Sequence, residues 1–261
     1  IELNTKPENT SMPQYFQNIR EDIVSLVPDD AIDILEIGCA AGMTGNELKK
    51  NSGIYVAGVE LDHRAAIEAK KVLDEVVEGN IETIALPFKE KRFDCILYAD
   101  VLEHLIDPLA VLKKTRKFLR TNGTIIASIP NVQYLGLVSQ LIEGNWTYQD
   151  EGILDRTHLR FFTYDEIVKL FDEAGYRISS INETLDPQYQ DAKTQTTTLN
   201  IGRLSIRDLS PDELKRFFVY QYKITATLKN VVGNEKYFID SKENHMEDVF
   251  EKGKSLENGG A

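Results

Sequence analysis

Residues 34–42 read ILEIGCAAG, an apolar run that ends at an acid and is followed by glycine and alanine. Glu36 closes the run, and Gly38 and Gly42 follow it. Glycines after a buried strand let the backbone approach a ligand and leave the first N–H groups of the next helix free to bind it. A dinucleotide fingerprint would need glycine where the chain has Ala40 and Met43. The motif therefore indicates a strand-end ligand site of another type.

Acids also follow two later apolar runs. Glu60 ends IYVAGVE, and Asp100 follows FDCILYA. Ligands of open parallel sheets lie beyond the carboxyl ends of the strands, so we expect both acids near Glu36. Asp100 has a second interpretation, as the cap of the helix that follows it.

Four histidines are candidates for proton transfer near neutral pH. His63 begins a predicted surface helix and His245 lies in a polar tail, so both are expected to be solvated. His104 comes just beyond the fourth predicted strand, and His158 lies in DRTHLRFFT after the fifth. His158 and His104 are therefore the candidate catalytic residues, as a general base for a hydroxyl acceptor.

The segment around His158 is the best clue to a substrate. In an extended backbone, Arg156, His158 and Arg160 would share one side, and Leu159 and Phe161 would point to the other. In that arrangement His158 faces the acceptor, and an arginine holds an anionic part of it by its two-pronged geometry. The alternative is that these charges pair with neighbouring acids and hold a loop in place.

Strands alternate with helices through the first 130 residues. Short apolar strands separated by amphipathic helices are typical of βαβ units and of a parallel sheet covered on both faces. Strands are predicted at 33–37, 54–60, 80–85, 93–99 and 123–129, and helices at about 43–50, 63–77 and 108–120.

The pattern changes after residue 130. A helix at about 133–143 leads into an aromatic, charged segment, and the capping boxes Thr163–Glu166 and Ser210–Glu213 predict helix starts. Further strands are predicted at 176–185 and 217–228. We expect an N-terminal helical segment (1–30), one domain (31–229) with a substrate-side insert (131–162) and a candidate lid (186–210), and a polar tail (230–261).

Composition limits the partners. The formal net charge of -12 and pI near 4.9 disfavour a nucleic-acid partner, because phosphate binding needs clustered lysine and arginine. No long apolar span or leader is evident, which predicts a cytoplasmic protein without a membrane partner. Cys39 and Cys95 are too few for a disulfide framework or a four-cysteine zinc site, and we expect both to face the core and no metal to be bound.

ILEIGCAAG resembles the first motif of class I S-adenosylmethionine-dependent methyltransferases, an acid followed by G-x-G-x-G, with Ala40 in place of the middle glycine. GVELD, LPFKEKRFDCILYADVLEHLIDP and LRTNGTIIASIPN resemble later motifs, and the resemblance covers about residues 12–185. It implies a Rossmann-like, doubly wound α/β fold with seven strands, mostly parallel with an antiparallel last strand. It also implies that S-adenosylmethionine is the cofactor and S-adenosylhomocysteine the product.

The resemblance further implies the cofactor-binding residues. Glu60 would take both ribose hydroxyls, and Asn80, where the family usually has Asp, would lie with Ile81 against the adenine. The expected set is Glu36, Gly38, Cys39, Ala40, Gly42, Glu60, Leu61, Asn80, Ile81, Ala99 and Asp100.

GILDRTHLRFFT resembles one branch of the family, methyltransferases similar to those found with polysaccharide and glycan biosynthesis enzymes. The branch implies O-methylation of a sugar or another small hydroxylated metabolite, anionic or sugar-containing. We expect Arg156, Arg160 and Tyr15 to bind this acceptor, and the protein to form a homodimer.

Other interpretations stay open. One alternative is methylation of a nitrogen or carbon atom, for which a general base is less necessary. Another is a non-catalytic scaffold protein of the same fold, which Ala40 and Asn80 favour and which the presence of Glu36 and Glu60 opposes. A nicotinamide-dependent oxidoreductase is disfavoured by the glycine spacing, and an RNA methyltransferase by the acidic charge.

Overall fold

The computed structural model describes residues 18–189 and 197–229 of the 261-residue chain. In these residues the backbone forms a seven-stranded sheet and a two-stranded hairpin, connected through helices. The strands are β1 (Asp33–Ile37), β2 (Tyr55–Glu60), β3 (Glu75–Glu78), β4 (Phe93–Ala99), β5 (Leu119–Pro130), β6 (Tyr176–Leu185), β7 (Leu199–Ile201), β8 (Leu204–Ile206) and β9 (Val219–Leu228).

Short helices connect the strands. Two of them are single 3-10 turns, at Leu102–His104 and Arg116–Phe118. The α-helices are α1 (Glu21–Val24), α2 (Met43–Leu48), α3 (His63–Ala69), α4 (Pro108–Thr115), α5 (Leu135–Ile142), α6 (Tyr164–Glu173) and α7 (Pro211–Arg216).

The large sheet has the strand order β3-β2-β1-β4-β5-β9-β6. All neighbours are parallel except β9, which runs antiparallel to both β5 and β6. This confirms the expected doubly wound α/β sheet with an antiparallel last strand. The strand order reverses between β1 and β4, and at such a switch point the loops diverge and leave a crevice for a ligand.

Apolar residues on both faces of the sheet are buried. Leu35 and Ile37 belong to one core cluster, which includes side chains of α4 and α6, whereas Ile34 belongs to a second cluster with side chains of α1, α2 and α3. Successive residues of a strand point to opposite faces, so a strand covered on both sides must be apolar throughout. The continuous apolar runs of the sequence follow from this arrangement.

The prediction of a strand at 80–85 is wrong, because these residues do not form one. The third strand is instead β3, in which Val76 pairs with Gly58 and Val77 with Val59 of β2, and α3 ends well before the predicted residue 77. Asn80 begins a turn, in which its side-chain oxygen accepts the Glu82 N–H at 2.8 Å. Hydrogen bonding to β2 outweighs helix propensity in this segment.

The predicted helix starts at the two capping boxes agree with the structure better than the predicted third strand does. Ser210 and Glu213 form the predicted capping box of α7, whereas Thr163 precedes α6 without a capping bond from its side chain. Within the candidate lid, β7 and β8 form a hairpin. Residues 190–196, Tyr15 and the predicted tail lie outside the described residues.

Candidate active site

The loop between β1 and α2 brings its backbone to the switch point. Gly38, Ala40 and Gly42 all have positive φ, at 69°, 48° and 78°. The left-handed region favours glycine, so Ala40 carries a backbone strain of roughly 1–2 kcal/mol at this position. Ala40 therefore lies in a backbone conformation that glycine adopts more easily.

Glu60 holds this loop to the end of β2. One carboxylate oxygen accepts the Ala40 N–H at 2.7 Å, and the other accepts the Asp62 N–H at 2.7 Å. The side chain is 7 % exposed. Each carboxylate oxygen has a second lone pair, so both can accept a further donor from a ligand.

Glu36 lies on β1 just before the same loop, with its carboxyl next to Gly45 of α2, and is buried. Burial raises the pKa of its carboxyl to about 8, and the nearby charge of Glu60 acts in the same direction. Its Oε2 has no hydrogen-bond partner among the residues that the structure describes. A buried carboxyl without a hydrogen-bond partner is either protonated or suited to bind a cationic group of a ligand.

The other residues of the expected cofactor set lie near these strand ends in different environments. Cys39 is buried with its side chain in the core, as expected, and Cys95 is buried too. Ile81 is also a core residue, whereas Leu61 is 68 % exposed directly after Glu60. Because the side chain of Cys39 is buried in the core, only the backbone of this residue can contact a ligand.

Asp100 is the centre of a polar network beyond β4. Its backbone has a φ of 55°, and its N–H donates to Ser128 Oγ at 2.9 Å. Its carboxylate accepts from Ser128 Oγ at 2.9 Å and from Gln221 Nε2 at 2.6 Å, and it forms an ion pair with Arg20. The alternative interpretation, a helix cap, is wrong, because Asp107 caps α4. Asp100 instead ties the N-terminal segment to three strands.

His104 and His158 come together beside Glu103. The two imidazole rings are 4.7 Å apart between centroids and nearly perpendicular. His158 is 9 % and Glu103 1 % exposed. Burial lowers the pKa of His104, with the neighbouring His158 acting in the same direction, and burial raises the pKa of Glu103 to about 8. The two predicted catalytic residues therefore share one site.

The arginines do not share the orientation of His158. The segment turns at residues 151–157, so His158 points inward while Arg156 and Arg160 are exposed. Arg156 Nε donates to Asp150 at 2.8 Å, and Arg160 donates to the carbonyls of Leu159 and Ile106. The predicted alternation is wrong because the backbone is not extended, and Arg156 makes the local pairing of the alternative interpretation.

Sequence reasoning missed Arg20, Glu103, Ser128 and Gln221. Glu103 carried a usable signal, since it is an acid directly before His104 just beyond an apolar strand. Arg20 and Gln221 lie 80 and 121 residues from Asp100 in the chain. No local pattern connects residues so far apart.

Solved structures have the same fold. The chain aligns with a SAM-dependent methyltransferase from Archaeoglobus fulgidus at a TM-score of 0.57 and 17% identity, covering 82% of this chain and 96% of that one. An S-adenosylmethionine-dependent methyltransferase from Mesorhizobium loti aligns at a TM-score of 0.52 and 14% identity, with 79% and 96% covered. The fold is therefore that of known methyltransferases.

A family model described as "Methyltransferase domain" matches residues 13–181, and the chain belongs to this family. This membership confirms the expected enzyme class, a class I methyltransferase with S-adenosylmethionine as cofactor. A ubiquinone biosynthesis O-methyltransferase from Cereibacter sphaeroides is 27% identical over 195 residues, 72% of this chain and 74% of that protein. Its counterpart from Idiomarina loihiensis is 28% identical over 160 residues, 57% and 63% of the two chains.

Within the described ranges, none of the helices has both the length and the apolar character needed to cross a bilayer.

Proposed function

We propose that this chain is an O-methyltransferase that transfers a methyl group from S-adenosylmethionine to a hydroxyl of a small acceptor. One observation carries the proposal: a histidine pair lies beyond β4, and β4 adjoins the strand whose loop bears the glycines of the first motif. The O-methyltransferase names of the relatives support the choice of oxygen as the acceptor atom.

The residues at the ends of β1 and β2 fit the cofactor. Glu60 has spare lone pairs on both oxygens for the ribose hydroxyls, and Glu36 Oε2 lacks a partner within the described chain, which an ammonium group would supply. Gly38 and Gly42 let the loop backbone approach the ligand. The bound cofactor supplies a methyl group on a sulfonium, which makes a covalent enzyme intermediate unnecessary.

We assign activation of the acceptor hydroxyl to His104 and His158. Methyl transfer requires the acceptor oxygen at near-attack distance and in line, in a site that excludes water. A neutral ring nitrogen next to that oxygen assists the loss of its proton. The burial of His158 against the turn at residues 151–157 supports a fixed orientation for its ring.

We infer an acceptor with an apolar ring or chain next to its hydroxyl. Leu159 and Ile106, which are close in sequence to His158 and His104, are 48 % and 65 % exposed, which supports an apolar contribution to acceptor binding. The local contacts of Arg156 and Arg160 leave less support for an anionic sugar. The relatives described above are named for ubiquinone biosynthesis, and neither name refers to a glycan.

The experiment is a methyl-transfer assay with S-adenosylmethionine and two acceptor panels, followed by mass spectrometry of the products. One panel holds hydroxylated aromatic compounds with apolar substituents, and the other holds sugars and nucleotide sugars. We expect O-methylated products in the first panel and a loss of turnover of about 10²-fold or more in His158→Ala. His63→Ala is the matched control, because His63 is a solvated histidine paired with Glu78.

Methylated sugars from the second panel would overturn the apolar acceptor, and methylation of an amine or carbon would favour the alternative chemistry. Cofactor binding without product from any panel would support the scaffold interpretation.

A further inference from the structure

Glu103, His104 and His158 form a compact cluster of metal-binding side chains. One ligand atom from each lies within 4.8 Å of the other two. Divalent metals in proteins hold nitrogen and oxygen ligands at about 2.0–2.2 Å, which places neighbouring ligands roughly 3–3.5 Å apart. Small side-chain rotations would bring the three atoms to such distances.

The carboxylate of Glu103 lacks the contacts that normally accompany burial. The side chain is 1 % exposed, and neither oxygen has a hydrogen-bond partner among the described residues. The backbone carbonyl of Glu103, in contrast, is hydrogen-bonded: it accepts the N–H groups of Leu159 and Arg160 at 2.8 and 3.0 Å. The backbone thus holds the acid beside His158, while its carboxyl group is left without a partner among the described residues.

In both histidines Nδ1 is the ring nitrogen that donates a hydrogen bond to a neighbouring carbonyl. His158 Nδ1 lies 2.9 Å from the Ile153 carbonyl, so this nitrogen carries the proton and donates. His104 Nδ1 lies 3.2 Å from the Thr157 carbonyl and 3.0 Å from Thr157 Oγ1, whose own proton goes to Asp155 at 2.6 Å. His104 Nδ1 is therefore also a donor, and in the neutral form of either ring the lone pair is on Nε2.

We propose that Glu103, His104 and His158 bind a divalent transition-metal ion of the Zn²⁺, Mn²⁺, Fe²⁺ or Co²⁺ class. Metal-binding histidines typically donate the other ring N–H to a carbonyl or a hydrogen-bonded oxygen, as both do here. Two imidazoles and one carboxylate leave open positions for a substrate and suit these ions better than Mg²⁺ or Ca²⁺, which prefer oxygen ligands. The proposed site departs from our expectation from the sequence that no metal is bound.

The role of the ion rests on the proposed function. A cation at this cluster would take the acceptor oxygen as a further ligand and favour breaking of the hydroxyl O–H bond. The proton would leave to solvent as the acceptor binds, before methyl transfer in the water-excluded site, and the electron pair would stay on the oxygen that receives the methyl group. In this arrangement the two histidines act on the acceptor through the metal, in place of direct proton removal by a ring nitrogen.

The first test uses the purified full chain, stripped of metal with a chelator and then dialysed. Co²⁺ is added and its visible absorption recorded, and Zn²⁺ affinity is measured by competition with a chromophoric chelator. We expect one ion per chain and at least a tenfold loss of affinity in Glu103→Gln and in His158→Gln. His63→Gln is the control and keeps the affinity of the parent protein.

Thr157→Val is a second variant, chosen because it is less disruptive to folding than substitution of a buried ligand. It removes the hydroxyl that His104 Nδ1 meets but leaves all three ligands and the Thr157 carbonyl. Complete loss of such a supporting contact typically weakens metal binding by about 10–100-fold, and with the carbonyl still present we expect a loss near the lower end of this range. Circular dichroism verifies that each variant is folded. Absence of binding, or equal affinities in the parent, Glu103→Gln and Thr157→Val proteins, would overturn the site.

Calorimetric titration of the metal-free protein with S-adenosylmethionine separates the two proposals. Metal binding without cofactor binding would overturn the proposed function and leave the metal site standing. Cofactor binding and acceptor methylation that are unchanged by chelation would overturn the role of the metal and leave the proposed function standing.

Discussion

At the scale of single residues, Glu60 uses both carboxylate oxygens in the fold, and we propose that the same two oxygens bind the ligand. It accepts the Ala40 and Asp62 N–H groups, and we assign it the ribose hydroxyls as well. Glu60→Ala is expected to weaken S-adenosylmethionine binding by at least tenfold, because hydrogen bonds to a charged group contribute roughly 1.5–3 kcal/mol each. The measurement is calorimetric titration.

Glu78→Ala is the matched control for this prediction. Glu78 ends the neighbouring strand β3 but pairs outward with His63 and Lys70. An equal cofactor affinity in Glu60→Ala and Glu78→Ala would remove the ribose role from Glu60.

Glu36 predicts a pH dependence of stability. The pKa of its carboxyl is about 8 in the folded chain against an ordinary 4.5, so the folded state keeps a proton that the unfolded state releases between these values. The contribution to stability is complete below about pH 4.5 and is lost as the pH rises through about 8. Every tenfold difference in proton affinity between the two states corresponds to about 1.4 kcal/mol.

Glu36→Gln removes this titration while keeping the shape of the side chain. We expect the free energy of unfolding of the variant, relative to the parent, to increase between pH 5 and pH 8 by several kcal/mol at most. Urea unfolding at both pH values measures it, without cofactor. Parallel pH profiles of the two proteins would show that Glu36 does not titrate in this range.

At the scale of elements, the β1–α2 loop depends on Gly38. A Cβ atom at this position would lie 2.7 Å from Val101 Cγ2, on the segment that follows β4. Gly53 also has a positive φ, but a Cβ there would have no atom within 4 Å. Comparing substitutions at the two glycines therefore distinguishes the cost of backbone strain from the cost of a steric clash.

Both Gly38→Ala and Gly53→Ala carry the left-handed penalty of roughly 1–2 kcal/mol. Gly38→Ala is expected to cost more, because Val101 must also move, and to lower cofactor affinity, whereas Gly53→Ala leaves affinity unchanged. Urea unfolding and cofactor titration of both variants check this. Equal losses of stability would mean that the contact with Val101 is relieved without cost.

At the scale of the whole molecule, cofactor binding is coupled to folding. A ligand present at 100 times its Kd stabilises the folded state by about 2.7 kcal/mol, which for a domain of this size raises the melting temperature by roughly 5–10 °C. We expect S-adenosylmethionine and S-adenosylhomocysteine to produce this shift and NAD to produce none. Differential scanning fluorimetry measures it, and a shift with NAD alone would overturn the cofactor assignment.

Much of the fold could be predicted from the sequence because its signals are local. The apolar runs of β1, β2 and β4 and the capping box at Ser210 require only neighbouring residues to be recognised. The third strand could not be placed in this way, since EVVE becomes a strand only through pairing with β2. Helix and strand propensities are too similar in such a short segment to decide.

The sequence by itself indicated a ligand site at the end of a strand, because the loop needs particular residue types, an acid and glycines, directly after that strand, and its resemblance to the methyltransferase family implied the enzyme class. It also identified His104 and His158 as candidates. Only the tertiary structure brought these two together with Glu103, turned Arg156 and Arg160 outward, and joined Arg20 and Gln221 to Asp100. Those contacts depend on how strands distant in sequence lie side by side, which no spacing along the chain encodes.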